Sequence, residues 1–253
     1  MVLTHTTNHT YSHPFPTVTL AFFLRYYSPQ LNPFSSHVLS TDTISSHVDP
    51  KTGRLHTTRI HMKKTRLPSA VVKLLPSSVT GGGGDKSSYV LETSVVDIKE
   101  GWMKTESKNL NYTGVLSVVE QQHYSTTPPD QAMSAVSHSA PRPLTPNTFV
   151  TTTFSYRSTL GGGKRHERTA DESVDDGEEH GPRRFGEWIS GWGAERIRRS
   201  IESIASNKTD DQMIKSRDGM KIVLERLRNN GVLSVLRELR ELKRREGKGL
   251  LEP

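Results

Sequence analysis

The residues best placed to do chemistry are basic side chains set inside apolar segments, where a charge must be paired or must face a cavity. Arg25 is the clearest, in Ala21-Phe22-Phe23-Leu24-Arg25-Tyr26 near the end of an apolar helix. There it would bind an anion, or it would simply complement the negative end of the helix dipole. Lys63, Lys64 and Arg66 directly precede Leu67-Pro68-Ser69-Ala70-Val71-Val72-Lys73-Leu74-Leu75-Pro76, a greasy stretch bracketed by prolines. Taken alone, that pattern reads as an exposed charge run beside a core loop.

Other constellations carry less. Gly81-Gly82-Gly83-Gly84-Asp85-Lys86 lacks the Gly-Lys step of a phosphate loop, and Asp85 is wrong in sign for a phosphate site. Gly161-Gly162-Gly163-Lys164 is followed by Arg165 where a hydroxyl for magnesium is needed. His5, His9 and His13 are evenly spaced, but four residues along a strand separate side chains by about 13 Å, too far to share one ion. The expectation is therefore no metal and no cofactor. No nucleophile elbow or paired carboxylates are evident, and the chain has no cysteine, so no enzyme activity is expected.

Composition bounds the rest. In 253 residues only 32% are hydrophobic and 24% charged, with 19 Gly and 14 Pro, which predicts one domain with low-complexity insertions. The net charge of +7 and pI near 9.6 favour polyanionic partners, either nucleic acid or an anionic lipid surface. No apolar run approaches the roughly 20 residues of a membrane span. The N-terminal residues have the pattern of neither a secretory signal nor an Arg-rich presequence.

These residues need elements to hold them. Residues 2–12, 36–48, 54–64, 88–96, 101–110, 113–124 and 148–156 alternate β-branched with polar side chains, predicting about seven antiparallel strands. Asp49-Pro50-Lys51-Thr52-Gly53 is a hairpin turn, and the tract 81–84 is a loop tip. Val18, Ala21, Phe22 and Tyr26 set out a helix between Pro14 and Pro29. Trp188, Trp192, Ile197, Ile201 and Ile204, then Met213, Met220, Val223, Leu224 and Leu227, mark a long helical region ending at Asn230-Gly231. Segments 125–146 and 161–184 read as disordered insertions. Residues 231–253 read as a charged amphipathic tail outside a domain of residues 1–230, with Val232 to Arg245 weakly docked or free.

His13-Pro14-Phe15, Phe22 to Tyr26, His37 to Ile44, Val48-Asp49-Pro50, Gly53 to Arg59, Arg66-Leu67-Pro68, Glu92 to Asp97, Lys108-Asn109-Leu110 and Lys215 to Met220 together resemble successive blocks of the PRELI/slowmo family. The opening residues and the His37 block look closest to its fungal mitochondrial branch of phosphatidic acid carriers. The resemblance implies an α+β fold, phosphatidylinositol-transfer-protein-like, with a curved antiparallel sheet and helices enclosing a lipid cavity. It implies a protein of the mitochondrial intermembrane space, peripheral to both membranes. Such a protein would move phosphatidic acid toward cardiolipin synthesis, in a heterodimer with a small twin Cys-x9-Cys protein. It implies headgroup contacts from Arg25, His37, Lys64, Arg66, Lys208, Gln212 and Lys215. Leu67, Pro68, Val71, Val72, Leu74 and Leu75 would form a lid loop that meets the anionic membrane surface. On this reading an Arg25→Glu chain should fold yet lose transfer. A phosphatidylserine carrier of the same family, or a basic RNA- or membrane-surface-binding module, is the alternative; the leading reading has no nucleic-acid partner.

Overall fold

The computed structural model describes residues 2–64, 87–111, 113, 116–128, 146–158 and 192–249. Seven strands form one curved antiparallel sheet: β1 Leu3–Tyr11, β2 Val38–Val48, β3 Leu55–Lys64, β4 Ser87–Asp97, β5 Trp102–Asn109, β6 Leu116–Ser125 and β7 Thr148–Ser158. Their spatial order is β1-β7-β6-β5-β4-β3-β2, so every neighbour in sequence pairs except β1, which joins the far side of β7. Helix α1, Phe15–Leu24, a short 3-10 helix, Pro33–Ser35, and the long α2, Trp192–Asn230, accompany the sheet, and α3, Val232–Gly249, follows. Strand number and the α+β class agree with the sequence reading.

Local chemistry sets these boundaries. The Asp49 carboxylate accepts from the Lys51 amide at 2.9 Å and from the Thr52 hydroxyl at 2.6 Å, closing the β2–β3 turn. Helix α1 starts just after Pro14, whose carbonyl accepts from Thr17 and Val18, and a proline is tolerated at such an entry. Gly231 at φ 75° ends α2 in the left-handed region, which a glycine adopts without cost.

Register sorts the helix-facing side of the sheet into bands. One row runs His9, Val150, Tyr124, Met103, Val96, Leu55 across β1, β7, β6, β5, β4 and β3. It is mostly apolar and packs with Phe15, Val18 and Phe22 of α1 and Met220, Val223, Leu224 and Leu227 of α2. The next row is hydroxyl and amide: Thr7, Thr152, Gln122, Thr105, Ser94, Thr57. The third is His5, Phe154, Glu120, Ser107, Glu92, Arg59, with charges at its β6, β4 and β3 positions. Beyond it Phe154, Tyr156 and Met213 form a second apolar cluster, with Leu116 and Val118 partly buried against it.

Of the two expectations for the C-terminal segment, helix α3 meets the docked one: Val235 is 0% exposed and Leu239 2%, both within the main apolar cluster, with Leu242 partly buried beside them. The three lie on one stripe at i, i+4, i+7, enough to seat an otherwise charged helix. The tract 81–84, Trp188, insertion 161–184 and most of insertion 125–146 lie outside the described residues. Among the described residues no helix is long and apolar enough to cross a membrane.

Candidate functional site

Arg25 caps the C-terminal end of α1 and is 8% exposed. Its guanidinium donates to Glu92 Oε2 at 2.6 Å and to the Phe22 carbonyl at 3.4 Å. It lies over the Phe22 ring at 3.6 Å and the Tyr26 ring at 4.6 Å, which shields one face from water. Arg25 thus bonds a helix carbonyl, as its place at the helix end suggests, and is also paired with a buried acid. Its Nε, however, is buried with no hydrogen-bond partner among the described residues. A buried donor left unmatched is costly, and a ligand oxygen would satisfy it.

Glu92 is the hub. From β4 its Oε1 accepts from Arg59 Nε at 3.0 Å and also from Arg59 Nη2, while Oε2 takes Arg25. Arg59 stands directly opposite Glu92 in the β3–β4 register and also donates to the Phe23 carbonyl at 3.1 Å, tying the strand to α1. His61 Nε2 stands 3.4 Å from Glu92 Oε2 without forming a hydrogen bond, and its Nδ1 meets Thr41 Oγ1 at 2.9 Å. Burial would raise the Glu92 carboxyl, yet Arg25, His61 and Arg59 hold it well below the usual carboxylate range. Burial lowers Arg59 and His61 despite Glu92, which favours a neutral imidazole.

The surroundings are positive. Lys63, next along the inward phase of β3, places Nζ 5.1 Å from the Tyr26 ring. Burial alone would raise the Tyr26 phenol, but Lys63 and Arg25 together pull it below its ordinary value. Glu120 is half-buried and burial pushes its carboxyl up toward the neutral form. Arg25 and Arg59 bond to one firmly ionised carboxylate, Glu92, and Lys63 adds a third cation beside Tyr26. The cluster can take a further anion.

The other residues expected at the site spread out from this point. His37 is exposed overall, its Nδ1 donates to the Phe34 carbonyl at 3.1 Å, and partial desolvation of the ring together with Lys63 lowers its pKa. Its carbonyl receives the Lys64 amide at 2.7 Å, so His37 and the exposed Lys64 sit together at the end of β3. Gln212 and Lys215 are exposed on α2, one residue before and two after the buried Met213. Lys208 lies on the same helix. Arg66 and the lid residues Leu67, Pro68, Val71, Val72, Leu74 and Leu75 lie outside the described residues. Among the described residues no three His, Asp or Glu side chains converge as metal ligands.

Glu92, Arg59 and His61 were not singled out from sequence as site residues. Their signal was parity: Thr57, Arg59, His61 and Lys63 share one phase of β3, and Glu92 falls in the phase of Ser94 and Val96. A charge in the inward phase of a strand calls for a partner. On the opposite face of the sheet Thr93, Val95, Lys104, Glu106, Gln121 and His123 help line a recess of about 450 Å³. Its lysine and acid are solvated, so the buried charges on the helix side mark the stronger site.

Comparison with known proteins gives the family. A model of the PRELI-like family matches residues 16–154. The chain is 40% identical over 124 residues to "Protein UPS1, mitochondrial" of Saccharomyces cerevisiae, covering 49% of this chain and 64% of that one. It is 36% identical over 108 residues to "Protein ups1 homolog" of Schizosaccharomyces pombe, covering 43% and 56%. With "PRELI domain-containing protein 1, mitochondrial" of Gallus gallus it shares 29% over 127 residues, covering 50% and 54%. The matches thus span between about half and two thirds of these relatives' lengths. Among solved structures, a Streptomyces aromatase/cyclase aligns with TM-score 0.45 at 8% identity, covering 92% of this chain and 99% of that one. Since the family model covers more than half of its residues, the chain belongs to the PRELI-like family.

Proposed function

We propose that the chain is a lipid carrier that holds one anionic phospholipid, phosphatidic acid first, and moves it between the two mitochondrial membranes across the intermembrane space, supplying cardiolipin synthesis. The observation that carries the reading is the order of chemistry on the sheet. A buried cluster in which Arg25, Arg59 and Lys63 gather around Glu92 and Tyr26 is flanked by a buried apolar cluster of Phe154, Tyr156 and Met213, with Val118 and Leu116 partly buried against it. A phosphate monoester fits the first, because its oxygens match the guanidinium fork and would satisfy the unmatched Arg25 Nε. Acyl chains fit the second, at roughly 0.8 kcal/mol per buried methylene, the same term that holds them in a bilayer, so exchange with a membrane is nearly balanced.

Further support comes from relatives whose names call them mitochondrial. On this reading His37, Lys64, Arg66, Lys208, Gln212 and Lys215 guide the headgroup, and the segment from Leu67 to Leu75 covers the chains. A small twin Cys-x9-Cys protein is the proposed partner. The chain carries lipid and performs no bond-making step.

The test is transfer of fluorescent phosphatidic acid between liposomes by the purified chain with that partner, against phosphatidylserine and phosphatidylcholine. Selective transfer of phosphatidic acid is expected. A phosphatidylserine preference would move the substrate, lipid turnover would overturn the carrier reading, and no transfer would overturn the function. Arg25→Glu is a poor probe, contrary to the sequence-based expectation. It would remove one of the cations on Glu92 and set a second carboxylate against it, so folding would fail along with transfer. Arg25→Lys keeps the charge and loses the planar fork, and should lower transfer while the chain stays folded.

A further inference from the structure

Helix α3 buries Val235 and Leu239 and turns another side to solvent. At 3.6 residues per turn, Lys243, Leu236, Arg240, Leu233, Arg244 and Arg237 follow one another around roughly 120° of its circumference, from the flank of the buried stripe round to its far side. All six are exposed, with Leu233 at 70%. Glu238 and Glu241 fall outside this arc. The arc therefore joins four cations and two exposed leucines with no acid between them, although the helix also carries acids. A solvated helix face would mix its charges and would not expose a leucine so fully. A protein groove would be met by a stripe of apolar residues at i, i+3, i+4 and i+7, and that stripe is already spent on the core.

We propose that this arc is a docking site for an anionic phospholipid bilayer. Leu233 and Leu236 would sit among the headgroups while Arg237, Arg240, Lys243 and Arg244 meet the lipid phosphates, in the manner of an interfacial amphipathic helix. The helix is held to the domain by Val235, Leu239 and Leu242, which lie outside the arc, so binding here needs no unfolding of the core. The arc stands on the apolar cluster rather than on the Arg25 cluster. Its function does not depend on what the cavity holds.

Flotation of the full chain with vesicles of phosphatidylglycerol and phosphatidylcholine, against phosphatidylcholine alone, tests this. The unaltered chain should float with the anionic vesicles and release as salt rises. Substituting Arg237→Gln, Arg240→Gln and Arg244→Gln together should lower the partition constant by about 100-fold, from roughly fivefold for each cation near the surface. Leu233→Ser alone should lower it by a smaller factor. Helix content by circular dichroism and uptake of a soluble short-chain phosphatidic acid in vesicle-free buffer should match the parent chain. Unchanged flotation of the triple variant would overturn the proposal. Failure of short-chain uptake by the parent chain would overturn the cavity reading and leave this one standing.

Discussion

Two rows on one face of the sheet, four residues apart along each strand with a hydroxyl band between them, are held by different physics. The row of Val150, Tyr124, Met103 and Val96 is stabilised by area removed from water, a term without direction that many side chains of similar volume can supply. The row of Glu120, Glu92 and Arg59, with Arg25 above it, depends on a few directed bonds between groups that each lose their hydration. A buried ion pair adds little net stability over a well-packed apolar substitute, yet removing one member strands the rest. The apolar row therefore supports the fold, and the charged row spends part of that support to keep a cationic site dry.

The largest expected effect follows from that asymmetry. Glu92→Gln should cost about 3–5 kcal/mol in urea unfolding, because Arg25 and Arg59 would remain buried without their counter-charge. A loss below about 1 kcal/mol would show that the two guanidiniums find water, and the contrast between rows would collapse. Gly219→Ala should come next. In an ordinary helix this change gains about 1 kcal/mol, but here the new methyl would lie 2.7 Å from Asn32 Oδ1 and 2.8 Å from its Nδ2. Asn32 cannot easily yield, since it donates to the Arg25 carbonyl at 2.8 Å and accepts from the Phe34 amide at 3.1 Å. A net loss of about 1–3 kcal/mol is expected, read from the shift in urea midpoint.

In the apolar row, Met103→Leu should change stability by less than about 1.5 kcal/mol despite complete burial. A larger loss would mean that this row, too, depends on shape rather than area. The smallest effect is on pH dependence. His9 is lowered to about 4 by burial and by Arg217 and Lys221, so between pH 6.5 and about 4 the unfolded chain binds a proton that the folded chain refuses. Stability should fall as pH drops through that window, and His9→Gln should flatten the fall in urea midpoints measured at pH 7, 5.5 and 4.5. Burial lowers His61 in the same direction, so some slope should persist in that variant. The contribution of Glu92 has the same sign but is lost only at lower pH, as its own depressed pKa is approached.

Much of the sheet was legible because alternation is local: each strand announces its own parity, and the turn at Asp49 to Gly53 announces itself. Arg25 was legible because its neighbours are apolar. Glu92 and Arg59 were not, because their meaning is cross-strand. They are 33 residues apart, and each alone resembles one more polar position in a Thr- and Ser-rich strand. Docking of α3 was hidden for a related reason. Arg and Glu dominate its composition, and three well-spaced apolar residues outweigh them only when a core is there to receive them.

The placement of β1 beside β7 also sets the order in which the molecule can form. Leu3 pairs with Tyr156 and Tyr11 with Thr148, while each other strand pair joins neighbours in the chain. The β2-to-β7 meander can assemble step by step, but the first strand must wait until about 150 further residues have emerged, and the entropy of closing so long a loop slows that step. Until then the edge of β7 and the whole of β1 offer unpaired backbone to any passing chain. A vectorially delivered copy of this protein would spend its early life with its first strand unclaimed, and a chaperoning partner would act most effectively there.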